Sequence, residues 1–181
     1  MPLLVDVMIK DAKLSPLVLT NIFTLVQKDI FTVSDFRQVV WPSIEQLTKL
    51  KELPAQSIYY LLKHTEVLQK YAPSSDFLNC FVPLMQKSLE CGVAKLQILT
   101  IDKIQGLQKA LDYSTFKNNL LPRILQILET SADVQAKTKV LEFIRAVQET
   151  IDQQSLQGLV FKTLEKARSK ETDPGVCMLI L

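Results

Sequence analysis

A phenylalanine followed six residues later by a proline occurs three times in this sequence, at Phe36–Pro42, Phe77–Pro83 and Phe116–Pro122. A short polar segment precedes each Phe: Ser34-Asp35, Ser75-Asp76 and Ser114-Thr115. The prolines stand 41 and 39 residues apart. One step back reaches Pro2. One step forward reaches Lys162, where the apolar frame of Val160, Phe161 and Leu164 persists and the proline does not. A period near forty is that of a helical repeat array, in which one helix pair buries its apolar face only against its neighbours.

With the prolines as register marks, the chain reads as an all-α solenoid of about four and a half helix pairs, near 1–30, 34–72, 75–111, 114–151 and 154–181. The expected helices cover 1–12, 16–29, 35–47, 54–71, 76–90, 93–111, 115–129, 133–151 and 155–169, with a last one from Pro174. Ile98, Ile101, Ile104, Leu107 and Leu111, and then Val140, Leu141, Ile144, Val147 and Ile151, recur at three and four residues, as an amphipathic helix requires. Ser15 before Pro16 reads as a cap, Gly92 as a left-handed helix stop and Asp133 as an N-cap. Prolines seven residues into a helix predict a kink at each of Pro42, Pro83 and Pro122. Paired helices, a first-helix proline and this period describe HEAT repeats. The array is expected to be cut inside a repeat at both ends.

Composition narrows the function more than it names it. A net charge of +2 gives no excess of cations for phosphate contacts, which argues against a nucleic-acid partner. Three cysteines, Cys80, Cys91 and Cys177, lack disulfide or zinc spacing beside a single histidine, so neither metal nor cofactor is expected. No apolar run approaches the roughly 20 residues that span a bilayer. An intracellular chain fits these features.

The chemical candidates each have a plainer structural reading. Counting forty residues at a time, His64 falls in register with Ile104 and Ile144, a core position. Trp41 aligns with Val82 and Leu121, which makes it a packing residue before it is a partner anchor. Cys80 and Cys91 sit at opposite ends of one expected helix, too far apart to bridge. Ile98-Leu99-Thr100-Ile101-Asp102 approaches a clathrin-box pattern but lies within an expected helix, where an extended motif cannot be read. Lys137, Lys139 and Arg145 mark the polar side of a second helix and are the candidate partner face; a solvated face balanced by Glu142 and Glu149 is the plainer reading. No phosphate loop or nucleophile–base pattern is present, so an enzyme is not expected.

Leu111-Asp112-Tyr113-Ser114-Thr115-Phe116-Lys117-Asn118-Asn119-Leu120-Leu121-Pro122-Arg123-Ile124 resembles the HEAT region of the SCY-like pseudokinases, in the branch of the coated-vesicle-associated kinase. Arg168-Ser169-Lys170-Glu171-Thr172-Asp173-Pro174 resembles the same region in the same order, and Pro42 to Pro83 matches more loosely. The resemblance implies a parent with a kinase-like domain before the repeats and a disordered tail after them. It implies work in clathrin-dependent traffic between Golgi, endosomes and plasma membrane. Clathrin or adaptor machinery would be the partners, and any membrane association would be peripheral. The catalytic motifs of such a kinase-like domain have no counterpart in this chain. The rival readings are a HEAT segment of a transport receptor, phosphatase scaffold or translation regulator, or a structural part of a large assembly.

Overall fold

The computed structural model describes residues 11–180, apart from the side chains of Ala12, Ser74 and Ser75. Pro2 and nearly all of the helix expected over 1–12 lie outside these residues; Ala12–Leu14 form a single 3-10 turn. Every regular element among the described residues is helical. The chain divides after Leu84 into two compact units.

The first unit holds α1 (Ser15–Gln27), α2 (residues 33–49), α3 (Ala55–Lys63), α4 (Thr65–Tyr71) and the start of α5 (Ser74–Glu90). Its core is built from Leu19, Ile22, Phe23, Phe36, Ile44, Leu47, Leu61, Leu62 and Phe81, each buried at helical spacing. α1 packs on α3. Ser15 is not the cap of α1: it is the first helical residue, fully buried, and its hydroxyl meets that of Ser57 on α3 at 2.5 Å. The expected continuous helix 54–71 breaks at His64, which leaves helical geometry at φ −99°, ψ 23°. The imidazole stacks on Phe23 with ring centroids 4.2 Å apart, a half-buried structural histidine as its register implied.

The second unit holds the rest of α5, then α6 (Ala94–Leu107), α7 (residues 113–130), α8 (Val134–Val147), α9 (residues 153–168) and α10 (Pro174–Ile180). Gly92 takes φ +70° between α5 and α6, the left-handed stop expected of it. α7 packs on α9, α6 packs on α8 and α8 packs on α10, so alternate helices form two rows. Leu96, Ile101, Ile104, Leu120, Ile124, Val140, Phe143 and Val160 fill the space within. Each large side chain so buried contributes about 1.5–3 kcal/mol.

Helix starts lie two residues earlier than the polar segments suggested. Thr32, Asp112 and Asp152 are the N-caps, accepting from the backbone N–H of Asp35, Thr115 and Ser155 at 3.1, 2.8 and 2.9 Å. Asp35 returns a bond to Thr32, completing a capping box. Asp133 caps α8 as expected, accepting from Ala136 N–H at 2.8 Å.

The helix turns before the three prolines are not alike. In α2 and α7 the turn before the proline widens to π geometry, over Phe36–Val40 and Phe116–Leu120. Trp41 and Leu121 then bond five residues back, to Phe36 and Phe116. The extra residue accommodates a ring that would press on the carbonyl four residues earlier. α5, however, stays α-helical through Pro83. α9 widens over Leu156–Phe161 although Lys162 stands at the proline position. The widening therefore does not follow from proline alone.

Candidate protein-binding face

α8 lies between α6 and α10, with α7 behind it. Its apolar stripe, Val140, Phe143, Ile144 and Val147, is buried, which leaves the polar stripe for its flanks and for solvent. The flanks carry two of the three candidate cations. Lys139 reaches α6, where its Nζ lies 2.5 Å from Asp102. Lys137 reaches the loop before α10 and donates to Glu171 at 2.6 Å; the two side chains are 15% and 7% exposed, so water screens this pair little. The Lys137 ammonium, and then the backbone N–H groups of Asp173 and Thr172, hold the Glu171 carboxyl below its ordinary range. Lys137 and Lys139 are thus joined to neighbouring helices within the chain.

Arg145 points elsewhere. It is exposed at the rim of a groove of about 200 Å³ formed by α8, α9 and α10. Leu141, Ile144, Leu164 and Leu179 line this groove, with Phe161 at 49% exposure. Glu142 and Gln148 share the rim. An apolar floor with a mixed-charge rim is what an interface hot spot needs. Phe161 and Leu179 were not singled out in the sequence. In the sequence, Phe161 is marked only as part of the apolar frame that persists around Lys162.

A second cluster escaped sequence reasoning. Asp152 accepts from Lys117 Nζ at 2.9 Å and from Ser155 Oγ at 2.8 Å, and is bonded by the Tyr113 hydroxyl. The Tyr113 hydroxyl, then Lys117, then Ser155 hold its carboxyl far below the ordinary value. The cluster joins the first turns of α7 and α9. It has no open nucleophile or base and acts as a fastener.

Burial pushes the Cys80 thiol up, and the thiol is bonded to Thr48 at 2.9 Å, the reverse of an activated nucleophile. Cys91 is exposed at the end of α5 and lies against the Ser88 carbonyl. Trp41 is buried in the core of the first unit. Phe36, Phe77 and Phe116 are buried, while Pro42 and Pro83 are exposed and Pro122 half-buried. Thr100 and Ile101 are buried and Ile98 and Leu99 half-buried in α6, so the clathrin-box-like stretch is helical. Among the described residues no group of three His, Cys, Asp or Glu could hold a metal, and no helix is long and apolar enough to cross a membrane.

Comparison with known proteins gives the same direction as the Leu111–Ile124 stretch. The chain is similar to SCY1-like protein 2. The human and mouse proteins are each 24% identical to it over 166 residues, 92% of this chain and 17% of the relative. The protein kinase domain-containing protein ppk32 of Schizosaccharomyces pombe is 24% identical over 183 residues, 98% of this chain and 24% of the relative. The relationship is distant, and the chain spans less than a quarter of the length of each of these relatives. No protein-family model and no solved structure matches.

Proposed function

We propose that this chain is a non-catalytic protein-binding scaffold of HEAT type, the repeat segment of a SCY-like pseudokinase that works in clathrin-dependent vesicle traffic. The observation that carries the reading is the groove beside Arg145. It combines exposed Phe161 and Leu179 with a charged rim, on helices fastened to their neighbours by Lys137–Glu171 and Lys139–Asp102. Rigid rows present such a groove at fixed spacing without the ordering cost that a loop would bear. By the resemblance, the partner is clathrin or an adaptor complex, and the setting is the cytoplasmic face of Golgi, endosomal or coated-vesicle membranes.

The test is a binding titration of the purified chain against purified clathrin and adaptor complexes, beside Phe161→Asp and Arg145→Glu. Saturable binding that both substitutions weaken at least about tenfold, or about 1.4 kcal/mol, supports the reading. Binding indifferent to both moves the partner face elsewhere. No binding to any of these complexes removes the traffic assignment.

A further inference from the structure

We propose that a cleft at the edge of the second unit receives a basic side chain, lysine or arginine, from a protein partner; the proposal rests on the scaffold reading above. The cleft encloses about 390 Å³ between the end of α5, the opening turn of α6, the end of α7 and the loop into α8. It is separate from the Arg145 groove and shares no residue with it.

The cleft is rich in acceptors. Gln97, one of its lining residues, is 3% exposed. Its Nε2 donates to the Leu89 carbonyl at 2.9 Å, which leaves Oε1 buried without a hydrogen-bond partner. A buried acceptor left unmade is costly, so this position favours an incoming donor. Two carboxylates stand nearby. Glu90 Oε1 takes Arg123 Nε at 2.5 Å, and Asp133 Oδ1 takes the Ala136 N–H that caps α8. Each of these bonds uses one carboxylate oxygen of two.

Donors are fewer. Arg123 is the one cation lining the cleft, and it also donates to the Asn119 carbonyl at 2.6 Å. The other donors are neutral: the side chains of Gln126, Thr130 and Ser131, and the first N–H groups of α6, whose cap residue Val93 contributes no side-chain bond. Two carboxylates against one committed guanidinium leave a negative wall. An ammonium or guanidinium brings several N–H donors and no acceptor, which matches it. An acidic side chain would meet Glu90 and Asp133 as like charges. The uncapped turn of α6 suits the backbone carbonyl of the same partner residue.

The experiment is an NMR titration of the ¹⁵N-labelled chain with a glycine–serine peptide carrying one central arginine, and with the same peptide carrying citrulline. The expected result is movement of the Gln97 side-chain amide and the Gly92 and Ala94 amides with the arginine peptide. Affinity for the citrulline peptide should be at least about fivefold lower. Asp133→Asn keeps a good cap while removing charge, so it should weaken only the arginine peptide. Equal affinity for the two peptides, or no movement at these signals at millimolar peptide, overturns the proposal. Failure here with groove-dependent binding intact sinks the cleft alone. Cleft binding without groove-dependent binding sinks the groove alone.

Discussion

Between residues 15 and 84, contacts that join neighbouring helix pairs are buried. Ser15 meets Ser57, Phe23 stacks on His64, and Thr48 meets Cys80. Arg37, itself exposed, adds bonds to the carbonyls of Tyr71 at the end of α4 and of Ala72 just beyond it, at 2.9 and 3.3 Å. Between residues 85 and 180, contacts of the same sequence separation are ion pairs near the surface. They join Glu90 to Arg123, Asp102 to Lys139, Lys117 to Asp152 and Glu129 to Lys166, while Lys137–Glu171, of the same separation, is largely shielded from water. The same repeat spacing is thus held by packing in one unit and reinforced by charge in the other. Packing is dear to break and indifferent to salt. Exposed pairs are individually weak and screened. The candidate binding face lies in the charge-fastened unit, where partner and solvent ions can act on it.

Substitutions sharpen this contrast. Phe23→Ala is expected to have the largest effect, about 3–5 kcal/mol by urea denaturation, because it empties a core site and unstacks His64. That loss should be the same at low and high salt. Ser57→Ala should cost about 0.5–1.5 kcal/mol, since it removes the buried hydrogen bond to Ser15. In the other unit Asp102→Asn should cost under about 1 kcal/mol, and the cost should shrink further at high salt.

Acid acts more on the second unit, where Asp112, Asp152 and Glu171 are held below their ordinary values, against Asp35 among the described residues of the first. Asp152 and Glu171 both titrate below their ordinary values of 3.8 and 4.5. As pH falls the unfolded chain takes up these protons first. The stabilisation is therefore complete above the ordinary values and is lost as pH falls through the lower folded ones. The double variant Asp152→Asn, Glu171→Gln should flatten the stability–pH slope below pH 4.5, followed by circular dichroism in urea.

The all-helical class was legible because apolar residues recur at three and four, and the cap at Asp133 and the stop at Gly92 were legible because each acts within a few residues of chain. The caps at Thr32, Asp112 and Asp152 were overlooked because Ser34, Ser75 and Ser114 are also good capping types. The π turns leave a sign in the sequence. After Phe77 the buried positions are Cys80, Phe81 and Leu84, three, four and seven residues on. After Phe36 they are Val40, Trp41 and Ile44, and after Phe116 they are Leu120, Leu121 and Ile124, one residue later each time. That shift of the apolar stripe, and not the proline, distinguishes the widened helices. The partner face was half legible. Lys137, Lys139 and Arg145 could be placed on one helix, but their partners Glu171 and Asp102 lie more than thirty residues away in sequence. A polar pattern on one helix cannot show which cations its neighbours take.

Native-state hydrogen exchange at low and high salt, read segment by segment, tests the contrast most directly. Opening of α8–α10 should become easier as salt rises, while α1–α3 should hold its protection. Equal salt dependence in both units, or greater dependence in residues 15–84, would contradict the division between packing and charge.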